Sequence, residues 1–115
     1  MEVDNNFLLV IESHMVGDGE ADLGEMLMTS FLSMILESEI LPAKVICLNS
    51  GVFLTTAGSL LTDILKKFEE GGTEILSCST CLNYYGRMEG LTVGQPTNMR
   101  DIVKAVRSFK QVIYA

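Results

Sequence analysis

FLLVI (Phe7–Ile11) is a continuous apolar run too short for a helix. A run without polar alternation marks a strand covered on both faces, the usual state inside a parallel sheet. Similar runs recur at KVICL (Lys44–Leu48) and EILS (Glu74–Ser77), with a weaker one at LTV (Leu91–Val93) and a last one at QVIYA (Gln111–Ala115). Helical patterns fill the intervals. Leu23, Leu27, Phe31, Met34 and Ile35 follow three-and-four spacing, so this face of a helix over Leu23–Glu39 is expected to lie on the sheet, with Asp22 and Glu25 capping its first turn. Leu61, Ile64, Leu65 and Phe68 repeat the spacing and stop at Gly71 and Gly72. Cys81–Gly86 supplies a short helix, and Asn98 with Asp101 opens a last one carrying Ile102, Val106 and Phe109.

Alternation of buried strands with helices predicts an α/β domain, a three-layer α/β/α sandwich on a five-stranded parallel sheet, because parallel neighbours need a crossover connection. Pro42 and Pro96 are expected between elements, where proline is tolerated. On the first helix, Met28, Leu32 and Leu36 fall away from the sheet-facing stripe, so a subunit interface in a homo-oligomer is expected to cover them.

With 115 residues, 48% of them hydrophobic, the chain can bury a sizeable core and is expected to make a single domain over residues 1–115. A formal net charge of −7 would repel a phosphate backbone, and the eight Lys and Arg form no stripe, which argues against nucleic-acid binding. The opening MEVDNN has neither the basic segment nor the apolar stretch of a secretory signal, and no run reaches the roughly 20 apolar residues that span a bilayer. A cytoplasmic protein with no membrane partner is expected. Three cysteines are too few, and odd in number, for a secreted disulfide framework. In a reducing compartment thiols are more often catalytic, metal-binding or simply buried.

Ligands of an open parallel sheet bind beyond the carboxyl ends of its strands. The segments there are SHMVGDGEA (Ser13–Ala21), NSGVFLTTAG (Asn49–Gly58), CSTC (Cys78–Cys81) and GQPTN (Gly94–Asn98). They gather the paired cysteines, the only histidine and several turn glycines on one rim. Cys78 leaves its strand just before a helix starts, where unpaired N–H groups favour an anion, and this makes it the expected nucleophile. Cys81, in the first helical turn, suits a resolving thiol, a second sulfur acceptor or a core position. Asn49, Ser50 and Gly51 offer amides and side-chain dipoles towards Cys78. Ser79 and Thr80, between the cysteines, are candidate contacts for the substrate, and His14 is a candidate proton donor or hydrogen-bond partner. Tyr84 and Tyr85 are expected to divide between packing on the sheet and lining a pocket or interface. Cys47, between Ile46 and Leu48, reads as packing.

Rival readings of the same residues differ in their requirements. A zinc site needs four ligands, and only His14 and Cys47 supplement the pair, so no metal is expected. Gly17, Gly19 and Gly24 have the wrong spacing for a dinucleotide loop, and Asp18, Glu20 and Asp22 would oppose a pyrophosphate; turn formation with helix capping fits better. A thiol–disulfide oxidoreductase also sets a CxxC at a strand-to-helix turn, although its usual flanking Trp and Pro are missing here. A non-enzymatic module that binds a protein or small ligand on this rim is a further alternative.

Taken together, LNSGV.L (Leu48–Leu54), SC.TCLNYYG (Ser77–Gly86), VG..TNM..IV (Val93–Val103) and GDGEADLGEMLM..F (Gly17–Phe31) closely resemble the C-terminal domain of YedF proteins. Those are sulfurtransferase-like proteins of the DsrE/TusD superfamily, associated with selenium metabolism. The resemblance spans essentially the whole chain and implies strand order 4-3-2-1-5 and a tendency to form oligomers. It also implies that a cysteine at the end of the third strand carries a persulfide and passes sulfane sulfur between partners. Cys78 holds that position, and Cys81 belongs to the YedF-like block. That block commonly has glycine where this chain has Ser79, a side chain expected either to narrow the approach to Cys78 or to restrict the backbone there. YedF proteins usually carry an N-terminal TusA-like domain as well, so the resemblance implies a TusA-like partner, supplied by a separate protein or by a longer chain. The function expected on this basis is a sulfur, or selenium, carrier. It takes sulfane sulfur from a donor protein, holds it as a Cys78 persulfide and yields it to an acceptor thiol, with no metal or organic cofactor.

Overall fold

Glu2–Ile11 forms β1, Ile40–Cys47 β2, Glu74–Cys78 β3, Gln95–Thr97 β4 and Gln111–Tyr114 β5 in a computed structural model that describes all residues from Met1 to Ala115. Every neighbouring pair is parallel, and the sheet order is β4-β3-β2-β1-β5. Helices α1 (Ala21–Glu37), α2 (Thr62–Glu70), α3 (Ser79–Tyr84) and α4 (Met99–Ser108) run between the strands, with single 3-10 segments over Asn49–Leu54 and Met88–Gly90.

The apolar run in β1 shows why the sheet needs cover on both sides. Successive side chains point to opposite faces. Phe7, Leu9 and Ile11 therefore enter a core with Met28 and Leu32 of α1 and Leu65 and Phe68 of α2. Leu8 and Val10 enter a second core with Ile102 and Ala105 of α4. Three layers result, as the alternation of elements predicts. No helix is long and apolar enough to cross a membrane.

Asn98 caps α4 as its sequence position suggests, its side chain accepting the Asp101 N–H at 3.0 Å. Asn98→Ala is expected to cost about 1 kcal/mol, the usual worth of such a cap, read as a lower urea midpoint with an unchanged slope. Glu20 stands at the cap position just before α1 and makes no side-chain cap; Asp22 accepts only the neighbouring Leu23 N–H.

The α1 faces depart from the expectation: of the stripe expected on the sheet only Phe31 and Ile35 pack against the core, each half-buried, and Met28 and Leu32, expected under a subunit interface, lie in the protein's own core. Gly24, Met28 and Leu32 are buried, whereas Leu23, Leu27 and Met34 are exposed. Gly24 sets the rotation: its carbonyl accepts the Val16 N–H, and a Cβ there would press on Met15. The helix must turn that bare position inward, and Met28 and Leu32 follow it at four-residue steps. The apolar flank left open is thus Leu23, Leu27 and Met34.

The fourth strand is also displaced. Leu91 makes one antiparallel bridge to Thr56, Val93 is buried, and the ladder with β3 forms only at Gln95–Thr97. Gly94 forces the shift, since its φ of +77° is left-handed and a Cβ would meet the Ile75 carbonyl. Pro96 consequently lies within β4 and Pro42 within β2, rather than between elements. Pro96 is tolerated because β4 is an edge strand. Pro42 pairs with Asp4 just before the register of β1 on β2 shifts, an irregularity that relaxes the ladder around it.

Candidate functional site

Period-two alternation decides which cysteine meets solvent. Leu76 and Cys78 share the face of β3 that α4 covers, so the Cys78 side chain packs with Leu8, Val10, Ile46, Ile102 and Ala105 and is only 1% exposed. This corrects the expectation of an accessible Cys78 thiolate. The helix that follows is six residues long, so its terminal partial charge is small. The sulfur also points into the α4-side core.

Cys81, three residues on, is only half-buried and packs at the junction of both cores. Its Sγ accepts the backbone N–H of Asn49 at 3.0 Å. Cys78 and Cys81 lie 3.5 Å apart. Burial pushes the Cys81 pKa up, the Asn49 N–H pulls it down, and the neighbouring Cys78 thiol adds to the rise. Cys47, fully enclosed, is pushed up to about 12 by burial alone and is inert packing, as the strand context predicts.

The loop after β2 is shaped to place Asn49. The Leu48 N–H donates to the Ile11 carbonyl, and Gly51 sits so close to that same carbonyl that a Cβ would collide with it. Between them Asn49 takes a left-handed φ of +54°, which an asparagine tolerates better than most residues. Its N–H is thereby aimed at Cys81, and its Oδ1 accepts the Tyr85 hydroxyl at 3.1 Å. A second tie comes from β3, where Ser77 Oγ lies 2.7 Å from Thr55 Oγ1 in the buried layer beneath the loop.

The sequence-derived candidates separate into four sets. Asn49 does present an amide to a sulfur, but to that of Cys81. Gly51 is buried and serves the close approach to Ile11. Ser79 is half-buried and Thr80 exposed on α3, beside the pair. His14 and Ser50 lie on the other side of Phe53: Ser50 Oγ is 3.1 Å from His14 Nδ1, and the His14 and Phe53 rings are 5.5 Å apart. Tyr85 packs edge-on against Phe53 at 4.7 Å, so Phe53 separates His14 from the Tyr85–Asn49–Cys81 chain. Tyr85, which sequence reasoning assigns to packing on the sheet or to lining a pocket or interface, is the residue that holds Asn49. Tyr84 is 83% exposed and leans on Tyr85. No cluster of three or more His, Cys, Asp or Glu side chains is assembled that could hold a metal ion.

Reactivity should follow exposure. Alkylation of the native protein with iodoacetamide is expected to modify Cys81, with Cys78 and Cys47 at least about tenfold slower until denaturant is added. Because the folded Cys81 pKa is raised, its thiolate fraction at neutral pH is smaller than that of a free thiol. The alkylation rate should therefore keep climbing past the pH at which an unperturbed thiol levels off. Peptide mapping after brief labelling checks both points.

No protein-family model and no curated protein matches the chain. Solved structures do. The crystal structure of the ychN protein from E. coli superposes with a TM-score of 0.70 at 12% identity, over 97% of this chain and 100% of that one. MTH1491 from Methanobacterium thermoautotrophicum gives 0.69 at 14% identity, over 97% and 100%. BT1422 from Bacteroides thetaiotaomicron gives 0.62 at 14%, over 96% and 95%. The last two are proteins of unknown function. At these identities the likeness is one of fold, a five-stranded parallel sheet with helices packed around it.

Proposed function

We propose that the chain is a sulfane-sulfur carrier of the YedF-like kind, with Cys81 as the sulfur that exchanges and Cys78 as the buried thiol behind it. One observation carries the reading: a half-exposed sulfur at the end of the central strands receives a fixed backbone N–H from Asn49. The Cys81 thiolate attacks the outer sulfur of a donor persulfide, R–S–SH. A new S–S bond forms on Cys81, the donor's S–S bond breaks, and the donor leaves as a thiolate that takes up a proton. An acceptor thiolate then attacks the outer sulfur, and Cys81 departs as the leaving group. Sulfur is passed on with no net oxidation. The Asn49 N–H favours Cys81 whenever it carries negative charge, at attack and again at departure. Donor and acceptor are thiol proteins, one of them TusA-like on the strength of the YedF resemblance; selenium in place of sulfur rests on that resemblance alone.

Incubation with a persulfide donor followed by intact mass should add one sulfur, removable by reductant, and a thiol acceptor should discharge it. A wild-type chain that gains no sulfur would sink the carrier reading.

The 3.5 Å approach of the pair supports a second reading, a thiol–disulfide couple. Reversible closure of Cys78 to Cys81 at a cytosolic glutathione poise, without any sulfur adduct, would favour it over the carrier.

A further inference from the structure

A cleft of about 390 Å³ opens between α1 and the Phe53–Leu61 segment, on the His14 side of Phe53 and apart from the thiol pair. Arg87 is its cation. The guanidinium carbon lies 4.1 Å from the Phe53 ring centroid, and one N–H donates to the buried Thr56 Oγ1 at 3.1 Å. No carboxylate pairs with it: the two ion pairs of the chain are His14 with Glu25 and Lys44 with Glu74. In a protein with fifteen acidic and eight basic residues, a half-buried arginine with no carboxylate in ion-pair contact is unusual company for a cleft. Stacking on Phe53 and the bond to Thr56 hold the group in place while most of its N–H donors stay free. Glu25 also borders the cleft, but its carboxylate is directed at His14 Nε2, 3.6 Å away. The remaining wall is mixed, with Leu54 and Leu61 buried and Leu60 projecting at the mouth, 97% exposed.

We propose that this cleft binds a small organic carboxylate, its anionic end on Arg87 and its apolar body against Leu54, Leu60 and Leu61. Fixed N–H donors of a guanidinium match a carboxylate in two-pronged geometry. A bare inorganic anion would use the guanidinium and leave the exposed Leu60 side chain in water, so an organic body is favoured. The site stands independently of the sulfur chemistry.

Titration of the nitrogen-15-labelled protein with 3-phenylpropionate tests this directly. Saturable shifts are expected at the Gly58, Ser59 and Leu60 amides and at Arg87 Nε, with half-saturation in the millimolar range or below and binding about tenfold weaker for 3-phenylpropanamide and for inorganic phosphate. Arg87→Gln should weaken carboxylate binding by about tenfold or more. Leu60→Glu changes a fully solvated side chain, so the fold is retained while a like charge at the mouth cuts binding by about tenfold. Failure to saturate by about 20 mM, equal binding of the amide or of phosphate, or undiminished binding to Leu60→Glu would each overturn the assignment.

Discussion

Gly51→Ala is expected to destabilise the fold by about 3 kcal/mol, the upper range for forcing a methyl group into a filled space. The added Cβ would press on the Ile11 carbonyl, a backbone atom held in the sheet and already accepting the Leu48 N–H. Neither partner can move aside cheaply, because β1 is hydrogen-bonded on both sides, to β2 and to β5. The same displacement would carry Asn49 away from Cys81, and without the N–H that pulls that thiol's pKa down the alkylation profile of surviving folded protein should move to still higher pH. Urea denaturation measures the first effect and labelling kinetics the second. A Gly51→Ala chain with wild-type stability would show that the loop is not pinned by that contact.

Cys81→Ser is expected to lower sulfur loading by at least about tenfold, since a hydroxyl at this position cannot act as the thiolate nucleophile. Cys78→Ala should behave differently. It removes a buried sulfur from an apolar layer, at a stability cost of about 1 kcal/mol, yet leaves the exchanging thiol and its Asn49 contact in place. The two variants therefore distinguish the roles drawn from exposure from those drawn from position along the chain. If Cys78→Ala abolished loading and Cys81→Ser did not, the roles would be reversed. Tyr85→Phe would act more gently, releasing Asn49 Oδ1 without touching either sulfur.

The fold was legible because its main signal is composition along short runs. FLLVI and KVICL could only be doubly covered strands, and the helices between them left a parallel sheet as the natural arrangement. The strand order came from resemblance, since hydrophobic runs do not say which strand lies beside which. Other details depended on atoms distant in sequence. The rotation of α1 was ambiguous because Leu23, Leu27 and Met34 form as good a stripe as Gly24, Met28 and Leu32; the close pass of Met15 over Gly24 chose between them. LTV looked more like a strand than GQPT does, and only the approach of Gly94 to Ile75 explains why the ladder begins later.

At the site, position was legible and orientation was not. The pair, Asn49 and the rim could be placed by following each strand to its carboxyl end. Which sulfur faced out followed from the pleat: Cys78 falls in register with Leu76, and α4 covers that face. Counting alternate residues along EILSC carried this signal. Tyr85 and Arg87 had no comparable signal, because their partners Asn49, Thr56 and Phe53 lie about thirty or more residues upstream.

The most direct test of the account is to load the native chain from a persulfide donor, trap it with an alkylating agent, and locate the added sulfur by peptide mass spectrometry. The account predicts a persulfide on Cys81, with Cys78 unmodified. A persulfide on Cys78 with Cys81 bare, or no persulfide on either, would contradict it.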